Sequence, residues 1–292
     1  MATILDGKKL RDKILLELKT KIDSMDSHSP IKPKLVVILV GENPASQIYV
    51  NTKKKIAEKI GIISEVVEYP KSVHQEELIS KIESLNDDKS VTAILVQLPL
   101  PEHIDKQKIL NTINPKKDVD GLTDYNSAML FHNEVPYAYP CTPKGIIRLL
   151  DEYKIEIEGK HAVVIGRSNL VGKPLAQMLL NRNATVTVCH SHTKNITDII
   201  KTADILISAV GKKIVGEKMI KSGCVVVDVG IFKDSNNKTT GDVDFDKVMP
   251  LSSYISPVPG GVGPMTIASL MSNTVDLFDK QHISPFDGSI SH

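Results

Sequence analysis

The stretch HAVVIGRSNLVGKPLAQMLL, residues 161–180, reads as a strand, a glycine-bearing turn and a helix. Gly166 falls where a parallel strand ends, and Gly172 and Pro174 fall at the start of the next helix. Glycines let backbone amides approach a pyrophosphate, and the positive end of a helix suits its charge. The spacing departs from GxGxxG, with Arg167 and Ser168 among the residues between the two glycines. A purely structural βα turn shows such a pattern about as often as a nucleotide site does.

The strand that follows sharpens the choice. An NAD site usually carries Asp or Glu about 20 residues on, bonded to the ribose. Here TVTVC runs into His190, Ser191, His192 and Thr193 with no carboxylate. Polar donors there, with Arg167 from the preceding turn, suit a 2′-phosphate. A dinucleotide at this site is therefore expected to be NADP rather than NAD. The alternative is a polar loop with His190 and His192 in solvent, and HxH alone does not indicate a metal.

Outward from this stretch, β-branched runs alternate with helix-like segments, the pattern of a parallel sheet flanked by helices. The first half predicts strands at Leu35–Val40, Ile63–Tyr69 and Thr92–Gln97, and helices at Ala45–Ile60 and Gln75–Leu85. The rhythm restarts with strands at Lys160–Ile165, Ala184–Cys189, Asp204–Val210 and Cys224–Val229, and helices at Lys173–Asn181 and Ile196–Thr202. Asn114–Pro143 is rich in turn residues, and Lys144–Tyr153 predicts a connecting helix. Met265–Phe278 places Ala268, Met271, Val275 and Phe278 on one face of a terminal helix. The polar segment Gln281–His292 is expected to be mobile. The fold class is α/β, with two α/β domains, the C-terminal one Rossmann-like, and a cleft between them.

Composition narrows the function. The chain has 292 residues, with 36 Lys and Arg against 35 Asp and Glu, for a net charge of +1. Neutrality argues against a nucleic-acid binder, and the absence of Trp with 4% aromatics removes base-stacking platforms. Apolar runs such as Leu35–Val40 are too short to span a bilayer. MATILDGKKL lacks the pattern of a signal peptide. Cys141, Cys189 and Cys224 form no CxxC, which suits free thiols in the cytoplasm and no metal site.

One lysine stands out. In ASQIYVNTKKKIAEKIG, Tyr49, Lys53, Ile56 and Ile60 share a helix face, so Lys53 sits within an apolar stripe while Lys54 and Lys55 face solvent. A desolvated lysine can act as acid or base near neutral pH. A snorkelling lysine with its ammonium at the rim fits the same spacing equally well. Gln97, followed by LPLP, closes a parallel strand at its carboxyl end, where open α/β sheets bind ligands. KKDVDGL puts Asp118 and Asp120 in a loop, so one can face a ligand while the other turns the chain. PVPGGVGPMT, with three glycines and three prolines, suggests backbone approaching a ligand.

Taken together, these segments resemble the bifunctional methylenetetrahydrofolate dehydrogenase/methenyltetrahydrofolate cyclohydrolase family. PGGVGPMT (259–266) and ILVQLPLP (94–101) are close to its two signatures. YVNTK (49–53), KDVDG (117–121), PCTP (140–143) and GRSNLVGKP (166–174) match in order. A different two-domain NADP-dependent dehydrogenase would not explain Gln97-Leu98-Pro99 or PGGVGPMT, and a non-catalytic nucleotide sensor would leave Lys53 and Asp120 silent.

The resemblance implies a folate-binding catalytic domain from 1–141 and 269–292, and an NADP-binding domain from 142–268. It implies a homodimer formed mainly through the nucleotide domains, tetrahydrofolate derivatives as substrates, and a place in one-carbon metabolism and purine biosynthesis. Lys53 is then the central catalytic group, with Tyr49 positioning the folate, Gln97 bonded to Lys53, and Asp120 accepting from the pterin. Leu98, Pro259, Gly260 and Gly261 complete the substrate site. Thr142, Gly166, Arg167, Ser168, Gly172, Ser191, Ile231, Gly263 and Thr266 hold NADP, with Arg167 and Ser191 at the 2′-phosphate.

Overall fold

Residues 2–25, 31–235 and 237–282 are described by the computed structural model. A two-residue strand β1 (Thr3–Ile4) leads into helix α1 (Gly7–Met25), whose Leu10, Ile14, Leu18 and Ile22 repeat every fourth residue and are all buried. There follow β2 (Lys34–Val40), α2 (Pro44–Lys59), β3 (Ile63–Tyr69), α3 (Gln75–Asp87), β4 (Ala93–Val96) and the short helices α4 (Lys106–Thr112) and α5 (Asp124–Phe131). The second half comprises α6 (Cys141–Glu152), β5 (His161–Ile165), α7 (Gly172–Leu180), β6 (Thr185–Cys189), α8 (Ile196–Ile200), β7 (Ile205–Ser208) and β8 (Cys224–Asp228). After these come a ribbon of β9 (Phe232–Lys233) and β10 (Thr239–Thr240), then α9 (Phe245–Val248), β11 (Ser252–Ile255) and α10 (Val262–His282).

The chain divides into two compact units. One contains Leu15–Asn126, Pro136–Tyr139 and the chain from Leu270. Its sheet has the order β3-β2-β4, all parallel. From β2 the chain moves to β3 on one side and then to β4 on the other. The carboxyl ends of β2 and β4 therefore flank a switch point, the usual ligand position in an open sheet. Residues Leu35–Val40 are buried throughout, as a strand covered on both faces requires.

The other unit contains residues up to Ile14, Ser127–Val135 and Pro140–Ser269. Its six strands run in the order β1-β11-β8-β7-β5-β6, again all parallel. The switch point lies between β5 and β7, so Gly166 and Ala209 open the two turns that flank it. Val163, Ile165, Leu206 and Val226 are among the residues of its core.

The contact division departs from the boundaries expected at 141 and 142. Residues up to Ile14 go with the six-stranded unit because β1 pairs with β11, Thr3 beside Tyr254 and Ile4 beside Ile255. Strands β1 and β11 and helix α1 are additions to the elements expected from sequence, and α5 falls inside the turn-rich segment. Among the described residues, no helix is long and apolar enough to cross a membrane, and no group of three or more His, Cys, Asp or Glu could hold a metal. The three cysteines are free and buried. From residue 283 on, the segment expected to be mobile lies outside the described residues.

Candidate active site

Helix α2 starts where Asn43 accepts a hydrogen bond from the Ser46 amide, with Pro44 in the first turn. Its buried stripe is Ser46, Val50, Ala57 and, just past its end, Ile60. Lys53 lies on the centre line of that stripe, at helical spacing from Val50 and Ala57. Its neighbours thus differ from the expected ones, since Tyr49 is 47% exposed and Ile56 half-buried. Lys53 is half-buried and paired: its Nζ donates to Gln97 Oε1 at 3.0 Å.

Gln97 follows β4 directly. Its backbone amide donates to the Ile38 carbonyl on β2, and its Nε2 donates to the Leu98 carbonyl at 2.7 Å. With the amide nitrogen so engaged, the side-chain oxygen faces Lys53. The bond uses one of three ammonium hydrogens and leaves Lys53 able to donate elsewhere.

The two loop aspartates divide their labour. Asp118 is buried, and its Oδ2 accepts from the Thr123 amide at 2.8 Å and from Asn126 Nδ2 at 2.9 Å. It is the turn residue. Asp118 also forms an isolated parallel bridge to Ile94 of β4, and the chain turns directly after it, the Gly121 amide donating to the Asp118 carbonyl. Asp120 is half-buried, ahead of Gly121 with its φ of 64°. Asn273 on α10, which the sequence did not single out, donates to the carbonyls of Val119 and Tyr139, both at 2.8 Å.

In the six-stranded unit, Gly166 has a φ of 118°, and a Cβ there would stand 2.5 Å from the Ala209 carbonyl oxygen. A Cβ on Gly172 would stand 2.2 Å from the Gly166 oxygen. Both glycines are required for the turn to close on the start of α7. Ser168 Oγ accepts from the Val171 amide at 3.1 Å, and Arg167 through Leu170 are exposed. Ser168 thereby caps the turn and keeps its own hydroxyl hydrogen to donate. Desolvation and the charges of Arg167 and His192 push His190 down, and Ser191, two residues past the end of β6, is exposed. This cradle fits a nucleotide diphosphate with an extra phosphate near Arg167.

Thr142 and Thr266 hydroxyls meet at 2.9 Å. Ile231 is 47% exposed, and its Cδ1 lies 3.3 Å from where a Gly263 Cβ would be. The Pro259–Gly261 segment packs on the start of α1: a Cβ on Gly7 would stand 1.8 Å from the Gly261 oxygen, and the Lys8 amide donates to the Gly260 carbonyl. Thus Lys53, Gln97 and Leu98 are joined by hydrogen bonds in the unit that also holds Tyr49 and Asp120, and the remaining site residues lie in the other.

A profile for the catalytic domain of tetrahydrofolate dehydrogenase/cyclohydrolase matches residues 5–120, and one for its NAD(P)-binding domain matches residues 140–282. The bifunctional protein FolD of Enterococcus faecalis is 49% identical over 282 residues, 96% of this chain and 100% of that protein. The chain belongs to the tetrahydrofolate dehydrogenase/cyclohydrolase family. Within it, the bifunctional FolD enzyme of Campylobacter jejuni superimposes with a TM-score of 0.94 at 49% identity, covering 96% of this chain and 100% of that one. The Trypanosoma brucei family member, solved with NADP cofactor and an inhibitor, gives 0.91 at 38% identity over 96% of this chain and 98% of that one.

Proposed function

We propose that this chain oxidises 5,10-methylenetetrahydrofolate to the 5,10-methenyl form with NADP+ and then hydrolyses that product to 10-formyltetrahydrofolate. The observation that carries this assignment is the Lys53–Gln97 pair at the carboxyl ends of β2 and β4, in a member of this family that also keeps the nucleotide turn.

NADP+, when bound, supplies the hydride acceptor. Thr142, Gly166, Arg167, Ser168, Gly172, Ser191, Ile231, Gly263 and Thr266 would hold it, Arg167 and Ser191 at the 2′-phosphate. For the oxidation the protein has to bring two rings together in the right orientation, and no side chain need act as acid or base.

The hydrolysis is where the chain's own proton chemistry enters. Water adds to the cationic methenyl carbon and loses a proton. The bond from that carbon to N5 then breaks as N5 takes up a proton and the new hydroxyl gives up its remaining proton to become the formyl oxygen, so the net reaction releases one proton. Lys53 Nζ moves these protons, while Gln97 Oε1 fixes its position. Tyr49 positions the folate, Asp120 accepts hydrogen bonds from the pterin ring, and Leu98, Pro259, Gly260 and Gly261 line the substrate. In this assignment the folate half is 1–141 with 269–292, and the NADP half is 142–268.

We also place the enzyme in the cytoplasm as a homodimer joined through its nucleotide units. In support, β6 is an edge strand with Val188 37% exposed, and Leu180 on the adjoining α7 is 53% exposed. Light scattering on the purified protein checks this, and a monomer at micromolar concentration would overturn it.

The deciding assay incubates the protein with methylenetetrahydrofolate and NADP+ or NAD+, and follows reduced nicotinamide and methenyl-folate by absorbance. Reduced nicotinamide should form with NADP+, and the methenyl signal should decay. No reduction with either nucleotide refutes the dehydrogenase; persistent methenyl-folate refutes the cyclohydrolase.

A further inference from the structure

Two carboxylates buried in the six-stranded unit belong neither to the folate chemistry nor to the nucleotide cradle. Asp242 is fully buried and Asp228, the last residue of β8, is 4% exposed. Asp242 Oδ2 accepts from Ser208 Oγ at 2.9 Å and from the Val210 amide at 2.8 Å, while Oδ1 accepts from the Lys212 amide at 2.9 Å. The turn after β7 is thus wrapped around one carboxylate. Asp228 Oδ1 accepts from the amides of Gly230 and Asp242 at 3.0 and 2.9 Å, and Oδ2 from that of Val243 at 2.9 Å. It holds the turn after β8 and, at the same time, the backbone that carries Asp242.

The glycines beside these acids make room for them. A Cβ on Gly230 would stand 1.9 Å from Asp242 Oδ1, and one on Gly241 would stand 2.1 Å from Asp228 Oδ2. The network extends at both ends. The Asp228 amide donates to Ser256 Oγ at 2.7 Å, immediately before Pro257 and the Pro259–Gly261 segment. At the other end, the Ala209 carbonyl abuts Gly166. The turns that leave β5, β7, β8 and β11 therefore share one set of contacts on the carboxyl side of the sheet, where open α/β folds bind nucleotides.

We propose that Asp242 and Asp228 are positioning residues for the nucleotide: they set the turns carrying Val210–Lys212 and Ile231, and so the shape of the dinucleotide site. A buried carboxylate gathers several inward-pointing amides of tight turns at one point, which leaves the outer face of each turn clear for a ligand. The proposal rests on the NADP assignment above.

The test uses the full chain and two substitutions. Asp242→Asn keeps the shape but turns an amide NH2 toward a donor, and Ser208→Ala removes one hydroxyl donor while the acid stays. The Kd for NADP+ is measured by calorimetry, and KM values come from both activities. The cyclohydrolase is assayed on supplied methenyl-folate, which needs no nucleotide. Asp242→Asn should weaken NADP+ binding and raise its KM about 10- to 100-fold, the range for losing a charge-assisted hydrogen bond. Ser208→Ala should do so by about 3- to 10-fold, and it carries the test if Asp242→Asn fails to fold. Cyclohydrolase kcat should change much less than NADP+ affinity in both, because the Lys53–Gln97 pair shares no hydrogen-bond partner with Asp242 or Ser208. Unchanged NADP+ affinity in both variants overturns the positioning role, and so does an equal loss in the two activities. If the parent protein itself bound no NADP+, the nucleotide assignment would fall first.

Discussion

Lys53 and Gln97, 44 residues apart, meet at 3.0 Å, with the lysine donating and the amide oxygen accepting. The pairing places a proton-bearing group on a helix face that is otherwise Ser46, Val50, Ala57 and Ile60. A neutral partner fixes the ammonium group without consuming its charge.

Replacing that group should separate the two reactions. Lys53→Gln is expected to lower cyclohydrolase kcat by at least about 100-fold, the scale of lost acid–base catalysis. The dehydrogenase should fall less, since orientation rather than proton transfer governs it. Both are read in one absorbance trace. Full hydrolysis by a folded Lys53→Gln protein would remove Lys53 from the role.

Gln97→Ala removes the acceptor and leaves the lysine in place. A hydrogen bond to a charged group contributes about 1.5–3 kcal/mol, so cyclohydrolase kcat should drop about 10-fold or more. Its pH–rate profile should shift as well. An unaltered profile would mean that Gln97 does not act through Lys53.

If Arg167 holds the 2′-phosphate as proposed, Arg167→Ala should raise the KM for NADP+ by about 10-fold or more and barely change that for NAD+, which lacks the phosphate. Equal losses with the two nucleotides would show that Arg167 does not read the 2′-phosphate.

At Gly172 two effects oppose each other. Alanine is the better helix former by about 1 kcal/mol, but its Cβ would meet the Gly166 oxygen at 2.2 Å. Overpacking of that kind costs about 1–3 kcal/mol and has only backbone to push against. Gly172→Ala should therefore lower Tm and weaken NADP+ binding. A rise in Tm would contradict the contact.

Asp228 makes stability depend on pH. Burial, with the nearby Asp242 charge adding to it, pushes its carboxyl from 3.8 up to about 6. Between these values the folded protein keeps a proton that the unfolded chain has released. The stabilisation from this group is therefore complete below the lower value and lost as pH rises through 6. Urea unfolding of the parent, relative to Asp228→Asn, should lose about 1–1.5 kcal/mol between pH 5 and 7.5. A parallel pair of curves would count against the raised carboxyl.

Much of this was legible in the residues. Strands buried on both faces, such as Leu35–Val40 and Cys224–Val227, announce themselves as unbroken apolar runs. Gln97 was visible because it ends such a strand. Lys53 was correctly placed on the inner face of its helix, although its true companions are Val50 and Ala57 rather than Tyr49 and Ile56. The edge strands were not legible, because Thr3–Ile4 is a strand only through its pairing with Tyr254–Ile255. Nor was Asn273, whose partner Val119 is 154 residues away. The Asp228–Asp242 pair did leave a trace, DVG at 228–230 and GDV at 241–243, each acid beside or near a glycine that makes space for the other. Such a pattern acquires meaning only once the two turns are known to meet.

Helix α10 begins in one compact unit and ends in the other, and this bears on how the protein could be divided. The Asn273 amide holds the carbonyls of Val119 and Tyr139, 154 and 134 residues earlier, and strand β1 finds its partner only at β11. Neither unit is one continuous stretch of chain, so a single cut anywhere between β4 and α10 would part each of them from a piece of itself. Two fragments made that way should recover a native fold only when mixed.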